Sequence, residues 1–171
     1  MLFRSREELT RACNELILQA VQIDALVFSV VTKHKKDRST WTLNMLDDGE
    51  GYLFEGEGDV ELVEGLRLQD VLEIVKTRDS AFFDTRLAEE LKHRNIETIV
   101  LAGVSTHTCI FQTAADAYAH NVRVVLAEDA IASHDPQLHT VALDLLKQEY
   151  RQSTLSNKDI ISTLLAGARQ I

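Results

Sequence analysis

Apolar positions along the chain follow two periods in turn, one typical of helices and one typical of strands. From Ser5, which forms a capping box with Glu8, apolar residues recur every three or four positions and predict a helix with one buried stripe. The near-continuous apolar run at 25–31 predicts a strand buried on both faces. Further strands are predicted at 71–75, 98–102 and 122–126, and further helices at 85–93, at 108–120, from Asp135 to about 148 and from Ser156. This alternation predicts an α/β fold with three layers, α/β/α, around a mainly parallel sheet.

The segment at 34–66 has neither period and predicts a long loop over the ends of the strands. Its glycines and acidic residues indicate turns, and loops in this position often contact substrates. Trp41, Tyr52 and Phe54 lie in this loop. Two interpretations of these aromatic residues stand equally: they line a pocket for an apolar substrate, or they form a small core of the loop itself.

Composition limits the partners that the protein can have. The 171 residues, 45% of them hydrophobic, fit one globular domain over 1–171. A net charge of −9 disfavours binding to nucleic acid or to an anionic membrane, and no apolar run is long enough to cross a bilayer. Residues 1–8 lack the apolar core of a signal peptide, and two cysteines give no disulfide framework. A reducing cytoplasm is therefore the expected location.

Cys109 is the candidate nucleophile because it lies between a strand and a helix. It follows the apolar run 98–102 and a short turn, and it precedes an alanine-rich helical segment. Unpaired N–H groups and the positive end of the helix dipole lower the pKa of a thiol at such a position, and they also stabilise an oxyanion. Lys76 ends the preceding strand, so both residues are expected at the carboxyl edge of one sheet, where ligands bind. The other thiol, Cys13, lies on the apolar stripe of the first helix and is interpreted as core.

Two blocks of sequence carry a family resemblance. The run KTRDSAFFDT at 76–85, followed by GVSTHTC at 103–109, resembles the isochorismatase-like cysteine hydrolases. Members of that family include nicotinamidases, N-carbamoylsarcosine amidohydrolase and ureidoacrylate amidohydrolases. The resemblance implies a Rossmann-like fold and a catalytic triad of aspartate, lysine and cysteine.

The resemblance also assigns roles to individual residues of the two blocks. Cys109 corresponds to the nucleophile and Lys76 to its charged neighbour. A cis peptide is implied at Val104–Ser105, in the turn before the cysteine. The N–H groups of Ser105 and Cys109 are implied to form the oxyanion hole.

The family aspartate has no counterpart at its usual place. In the family it ends the first strand, whereas this chain begins at the helix that normally follows that strand, so the central strand of the sheet is expected to be absent. Asp24 lies at the wrong end of a strand, and Asp37, Asp79 and Asp84 lie in loops on the correct side but match no motif. Three explanations are open: a start codon placed too late, a shortened protein, or a non-catalytic member. Retention of the lysine and the cysteine favours the first two.

The expected activity is hydrolysis of a C–N bond in a small amide, ureide or carbamoyl compound through a thioester on Cys109. Isochorismatases proper, which cleave a vinyl ether, lack the cysteine, so that activity is the weaker alternative. The other alternative is an impaired family member that acts as an oligomeric scaffold or regulator. A homo-oligomer with a small-molecule substrate is expected. No cofactor and no bound metal are expected, because His34 has no partner histidine nearby.

The remaining candidates concern the substrate pocket. His107, Trp41 and Phe82 are candidate pocket residues; a solvated position at the helix start is equally open for His107, and packing beneath the site is favoured for Phe82. His134 and His139 are expected at the surface, near Asp135, which is predicted to cap the helix that begins there.

Overall fold

The chain folds into alternating helices and strands, as its apolar pattern predicts. The computed structural model describes residues 5–58, 63–68 and 71–168. The helices are α1 (Arg6–Gln22), α2 (Leu43–Asp48), α3 (Leu87–His93), α4 (Phe111–Ala119), α5 (Pro136–Gln148) and α6 (Asn157–Ala168). The strands are β1 (Phe28–Thr32), β2 (Leu72–Lys76), β3 (Thr98–Val104), β4 (Arg123–Ala132) and β5 (Ser153–Leu155). A π-helical turn, Thr106–Ile110, joins β3 to α4.

All strand pairs are parallel, as predicted, but the strands form two sheets rather than one. β1 pairs with β2, and β3, β4 and β5 pair in that order. Among the described residues, β1 pairs only with β2, and β3 pairs only with β4. Each of these two strands therefore has one edge without a hydrogen-bonded partner strand. Val30 on β1 and Val100 on β3 are 39% and 38% exposed. The prediction that the first strand is buried on both faces is therefore wrong for Val30, because no described strand continues the ladder beyond it.

Two apolar clusters hold the helices against the sheets. The larger cluster packs α3, α4 and α5 against strands of both sheets, with Ile74 from β2 and Leu126 from β4 among its buried members. The smaller cluster packs α1 and α6 against β4 through Leu16 and Ile160. The larger cluster therefore joins the two sheets although their hydrogen-bond ladders do not meet.

Cys13 packs against the smaller cluster, as its place on the apolar stripe predicts. Its Sγ–H donates to the Ala130 carbonyl at 3.6 Å, and burial raises the pKa of the thiol. A thiol in this setting stays protonated, which suits packing and not nucleophilic chemistry.

Two helix starts were predicted from capping residues, and both are confirmed. The Ser5 Oγ accepts from the Glu8 N–H at 3.2 Å, and the Glu8 carboxylate accepts from the Ser5 N–H at 2.8 Å. At the start of α5, Asp135 Oδ1 accepts from the N–H groups of Gln137 and Leu138 at 2.8 and 3.0 Å. Hydrogen bonds of this kind depend only on residues that are close in sequence, so they can be predicted from the sequence.

Strand boundaries differ more from their predictions. β1 begins at Phe28 and not at 25, whereas β3 and β4 extend beyond 102 and 126. Their ladder shifts register after Leu101 and resumes where Gly103 pairs with Ile131 and Val104 with Ala132. Long-range pairing therefore extends strands through residues whose local pattern indicates a turn.

Several short elements also differ from the sequence prediction. The loop 34–66 contains α2, whose N-cap Thr42 accepts from the Met45 N–H, and β5 was not predicted at all. The predicted helix 85–93 begins at Leu87, with the Thr85 hydroxyl accepting from its N–H at 3.1 Å. The predicted helix 108–120 is the π-helical turn followed by α4. Within the described ranges no helix is long and apolar enough to cross a membrane.

Candidate active site

Cys109 lies in the π-helical turn, just beyond the carboxyl end of β3. Gly103 has a φ of 119°, and the Val104–Ser105 peptide bond is cis, as the resemblance implied. The Ser105 carbonyl accepts from the Ile110 N–H at 3.1 Å, the i to i−5 bond of π geometry. Single π turns occur often at functional sites. The strand, turn and helix predicted around Cys109 are present, with a wider first turn than a regular α-helix has.

Lys76, the last residue of β2, reaches Cys109 from the other sheet. The residue is 5% exposed, and its Nζ lies 3.3 Å from Cys109 Sγ. The same ammonium donates to Thr32 Oγ1 and to the Arg78 carbonyl, each at 2.8 Å. Three partners match the three N–H donors of a lysine. The structure therefore brings together the two residues that the sequence placed at one edge of a sheet.

The ammonium of Lys76 has no carboxylate partner within 4.0 Å in the part of the chain that the structure describes. A buried positive charge is costly unless a negative charge lies against it. Of the three groups that touch Nζ, only the Cys109 sulfur can become an anion. The contact therefore places a positive charge directly against the sulfur atom of Cys109.

Asp79 is a site residue that sequence reasoning did not single out. Its Oδ1 lies 3.5 Å from Cys109 Sγ, and its Oδ2 accepts from Gln112 Nε2 at 2.9 Å. The loop that carries Asp79 is also tied to α4 through the Ala81 N–H, which donates to Thr113 Oγ1 at 3.0 Å. The sequence analysis placed Asp79 in a loop on the correct side of the sheet but assigned it no role. The one available signal was the position of Asp79, three residues after the buried lysine.

The histidines near the turn differ in burial. His107 Nδ1 lies 2.7 Å from Ser133 Oγ, and its ring meets that of His134 at a centroid distance of 5.0 Å. His134 is exposed, as expected. The prediction that His139 lies at the surface is wrong, because it is buried with Nδ1 2.8 Å from Thr106 Oγ1. His139 thus supports the π-helical turn from α5.

The two aromatic pocket candidates are buried. Trp41 packs against Phe54 within its own loop, with ring centroids 6.1 Å apart, whereas Tyr52 is exposed. Phe82 belongs to the larger cluster and stacks on His120 at 4.9 Å. These contacts agree with the interpretation of Trp41 and Phe54 as a core of the loop and of Phe82 as packing beneath the site. Contact of Trp41, Phe82 or His107 with a substrate stays a prediction.

The loop 34–66 is fixed to the site by Arg78 and His34. The Arg78 guanidinium donates to the carbonyls of Thr40 and Trp41, at 2.8 and 3.3 Å. His34 is 2% exposed, and its Nδ1 lies 2.9 Å from the Thr40 carbonyl. Burial lowers the pKa of His34; the hydrogen bond to Thr40 opposes this, and the charges of Arg78 and Lys76 add to the lowering. His34 is therefore a neutral, packed residue near pH 7.

No group of three or more His, Cys, Asp or Glu side chains is arranged to hold a metal ion within the ranges that the structure describes. The expectation that the protein binds no metal remains a prediction, since it concerns what the protein takes up in solution.

Comparison with known proteins assigns the chain to a family. The isochorismatase domain model matches residues 4–157. The chain belongs to the isochorismatase family. A family relative from Arabidopsis thaliana, named a probable inactive nicotinamidase, is 38% identical over 128 residues, which are 71% of this chain. The chain spans 65% of the length of that relative.

Two solved structures share the fold of this chain. The nicotinamidase PncA of Bacillus subtilis has a TM-score of 0.78 at 25% identity, covering 88% of this chain and 85% of that one. A cysteine hydrolase of Pseudomonas syringae has a TM-score of 0.86 at 20% identity, covering 96% of this chain and 83% of that one. The predicted isochorismatase-like α/β fold is therefore confirmed.

Proposed function

We propose that the protein is a cysteine hydrolase that cleaves a C–N bond in a small amide, ureide or carbamoyl compound. The observation that carries the proposal is the contact of 3.3 Å between the buried Lys76 ammonium and Cys109 Sγ. A lysine and a thiol so placed form a charged pair that activates the sulfur for attack on a carbonyl carbon. The similarity to the nicotinamidase PncA of Bacillus subtilis supports an amide as the substrate class, although the Arabidopsis thaliana relative is named a probable inactive nicotinamidase.

The proposed reaction has two stages on one sulfur atom. Cys109 attacks the carbonyl carbon, the N–H groups of Ser105 and Cys109 hold the oxyanion, and loss of the amine leaves a thioester. Water then hydrolyses the thioester and frees the acid. One donor of an oxyanion hole contributes about 3–4 kcal/mol to such a transition state.

The two free cysteines also suit a reducing compartment, so we propose the cytoplasm as the location of the enzyme.

A non-catalytic scaffold is the second candidate function, and the interrupted sheet favours it. Val30, Val100 and Val104 are exposed on β1 and β3, each of which has one edge without a ladder partner among the described residues. Exposed strand edges and apolar side chains of this kind associate with other chains. We therefore expect a homo-oligomer under either proposal, and light scattering would measure its mass. The vinyl-ether activity of isochorismatases proper remains the weaker alternative, because it does not use the cysteine.

The test compares the two cysteines. We expect release of ammonia from nicotinamide, or from a small panel of ureides and carbamoyl compounds, to be abolished by Cys109→Ala and retained by Cys13→Ala. Cys13 is the matched control because it is a thiol in the apolar core, away from Lys76. Intact mass spectrometry of the wild type should show an acyl group on Cys109. Turnover that survives Cys109→Ala would exclude the proposal, and a wild type that forms no adduct and no product would leave the scaffold.

A further inference from the structure

We infer that Asp79 is an acid–base group of this site, which moves protons to and from Cys109 and the leaving amine. The inference rests on the proposed function and adds the residue that moves protons. Asp79 belongs to the loop after β2, so the carboxylate reaches the sulfur from a different part of the chain.

The two oxygens of Asp79 have separate partners. Oδ1 faces Cys109 Sγ at 3.5 Å, while Oδ2 is held by Gln112 Nε2 at 2.9 Å. In the described part of the chain, the hydrogen-bonding contacts of Sγ are with Lys76 and Asp79. Asp79 is therefore the one of these two contacts that can accept a proton from the thiol, because an ammonium has no acceptor.

The surroundings of Asp79 leave it able to exchange protons. The side chain is half-buried and forms no ion pair with Lys76 within 4.0 Å, so its charge is not committed to that lysine. The hydrogen bond to Gln112 fixes one oxygen and leaves the other directed at the sulfur. A carboxylate within hydrogen-bond reach of the reacting atom meets the geometric requirement for general acid–base catalysis. His107, the other titratable side chain of the turn, has its Nδ1 against Ser133.

The proton path balances over one turnover. Asp79 takes the proton when the thiol ionises; the thiolate then forms the S–C bond, and the carbonyl electron pair moves to oxygen. When the C–N bond breaks, Asp79 returns that proton to the leaving amine. Water then attacks the thioester and gives a proton to Asp79, the C–S bond breaks, and Asp79 reprotonates the sulfur. One amide and one water give one carboxylic acid and one amine.

p-Nitrophenyl acetate tests the inference without knowledge of the natural substrate. Its leaving group departs without a proton, so Asp79→Asn should keep the initial burst, with one acetyl group on Cys109 by peptide mass spectrometry. Hydrolysis of the acetyl-thioester needs a base, so steady-state turnover should fall by about 10²–10⁴-fold. Asp84→Asn is the matched control, since Asp84 lies five residues along the same loop and its φ of 52° suits asparagine. That variant should keep both the burst and the turnover.

Alkylation separates a catalytic role of Asp79 from a structural one. Removal of a negative charge beside the sulfur favours the thiolate, so iodoacetamide should modify Cys109 of Asp79→Asn at least as fast as in the wild type at mildly acidic pH. A collapsed site would instead slow alkylation and turnover together, and that result would overturn the inference. Unchanged turnover in Asp79→Asn, with the burst present, would overturn it as well and leave the proposed function standing. A wild type that neither acetylates Cys109 nor releases p-nitrophenol would remove both.

Discussion

At the scale of single residues, the site consists of one sulfur atom between a cation and an anion. Lys76 and Asp79 contact Cys109 Sγ at 3.3 and 3.5 Å, and the two have opposite effects on the thiol. In the mechanism that we propose, the ammonium stabilises the thiolate, while the carboxylate accepts the proton that the thiol gives up. Without the carboxylate, no contact of the sulfur among the described residues could accept that proton. The proposed nucleophile and the proposed proton acceptor are thus separate residues.

The contribution of the lysine can be measured by its removal. Lys76→Met keeps most of the length and apolar volume of the side chain but loses the charge beside the sulfur. Loss of an opposite charge at contact distance should lower the rate of Cys109 alkylation at neutral pH roughly tenfold or more. Lys92→Met, at an exposed position of α3, is the control and should react like the wild type. An unchanged rate in Lys76→Met would mean that the ammonium does not stabilise the thiolate.

Some residues of the site could be predicted from the sequence, and others could not. Cys109 and Lys76 follow predicted strands, and the carboxyl ends of parallel strands face one side of the fold, so the sequence could place both residues on that side, although the two strands belong to separate sheets. No such rule predicts the positions of Asp79 and His139. Asp79 reaches the sulfur because its loop is tied to α4, and His139 is buried because α5 packs over the π-helical turn. Both placements depend on tertiary contacts that a local pattern does not contain.

At the scale of elements, the connection from β3 to α4 is constrained in its backbone conformation. Gly103 has a φ of 119°, a conformation that side chains rarely adopt, although a Cβ there would meet no atom within 4 Å. Gly103→Ala should therefore lower the free energy of unfolding by about 1–3 kcal/mol through backbone strain alone, as measured in urea.

Gly58→Ala is the control for this strain, because a Cβ at Gly58 is equally unobstructed and its φ is not in the left-handed region. It should change stability far less than Gly103→Ala. Equal effects of the two substitutions would mean that general loss of glycine flexibility, and not the φ of Gly103, determines the result.

Elements were predictable to the extent that their causes are local. The caps at Ser5 and Asp135 form hydrogen bonds within three residues, and both helix starts were predicted. β5 has only three residues and exists because it pairs with β4, so its sequence carried no sufficient signal. β4 continues to Ala132 for the same reason. Pairing partners, and not propensity, determine these boundaries.

At the scale of the whole molecule, the site spans the two sheets. Lys76 ends a strand of one sheet, and Cys109 follows a strand of the other. The ladders do not meet in the described residues, so side-chain packing positions the two halves. The larger apolar cluster contains Ile74 from the first sheet and Leu126 from the second. The geometry of the candidate site therefore depends on the same core contacts that stabilise the fold.

The buried His34 links this stability to pH. Burial lowers its pKa in the folded protein, and the charges of Arg78 and Lys76 add to the effect. In the unfolded chain the ordinary value of about 6.5 applies. The unfolded state therefore binds the proton first. The stability from neutral His34 is present above about pH 6.5 and is lost as the pH falls towards the folded value.

His34→Asn isolates this contribution, because an asparagine can donate to the Thr40 carbonyl but does not titrate. Urea unfolding between about pH 7.5 and 5.5 should show the wild type losing more stability than this variant, with a difference in slope of at most about 1.4 kcal/mol per pH unit. His93→Asn, at an exposed position, should keep the wild-type slope. Hydrogen bonds lower the pKa values of Asp37 and Asp135. These carboxylates therefore lose their stabilising effect only at more acidic pH, below the range of this measurement. Equal slopes in the wild type and His34→Asn would show that His34 takes up no proton on unfolding.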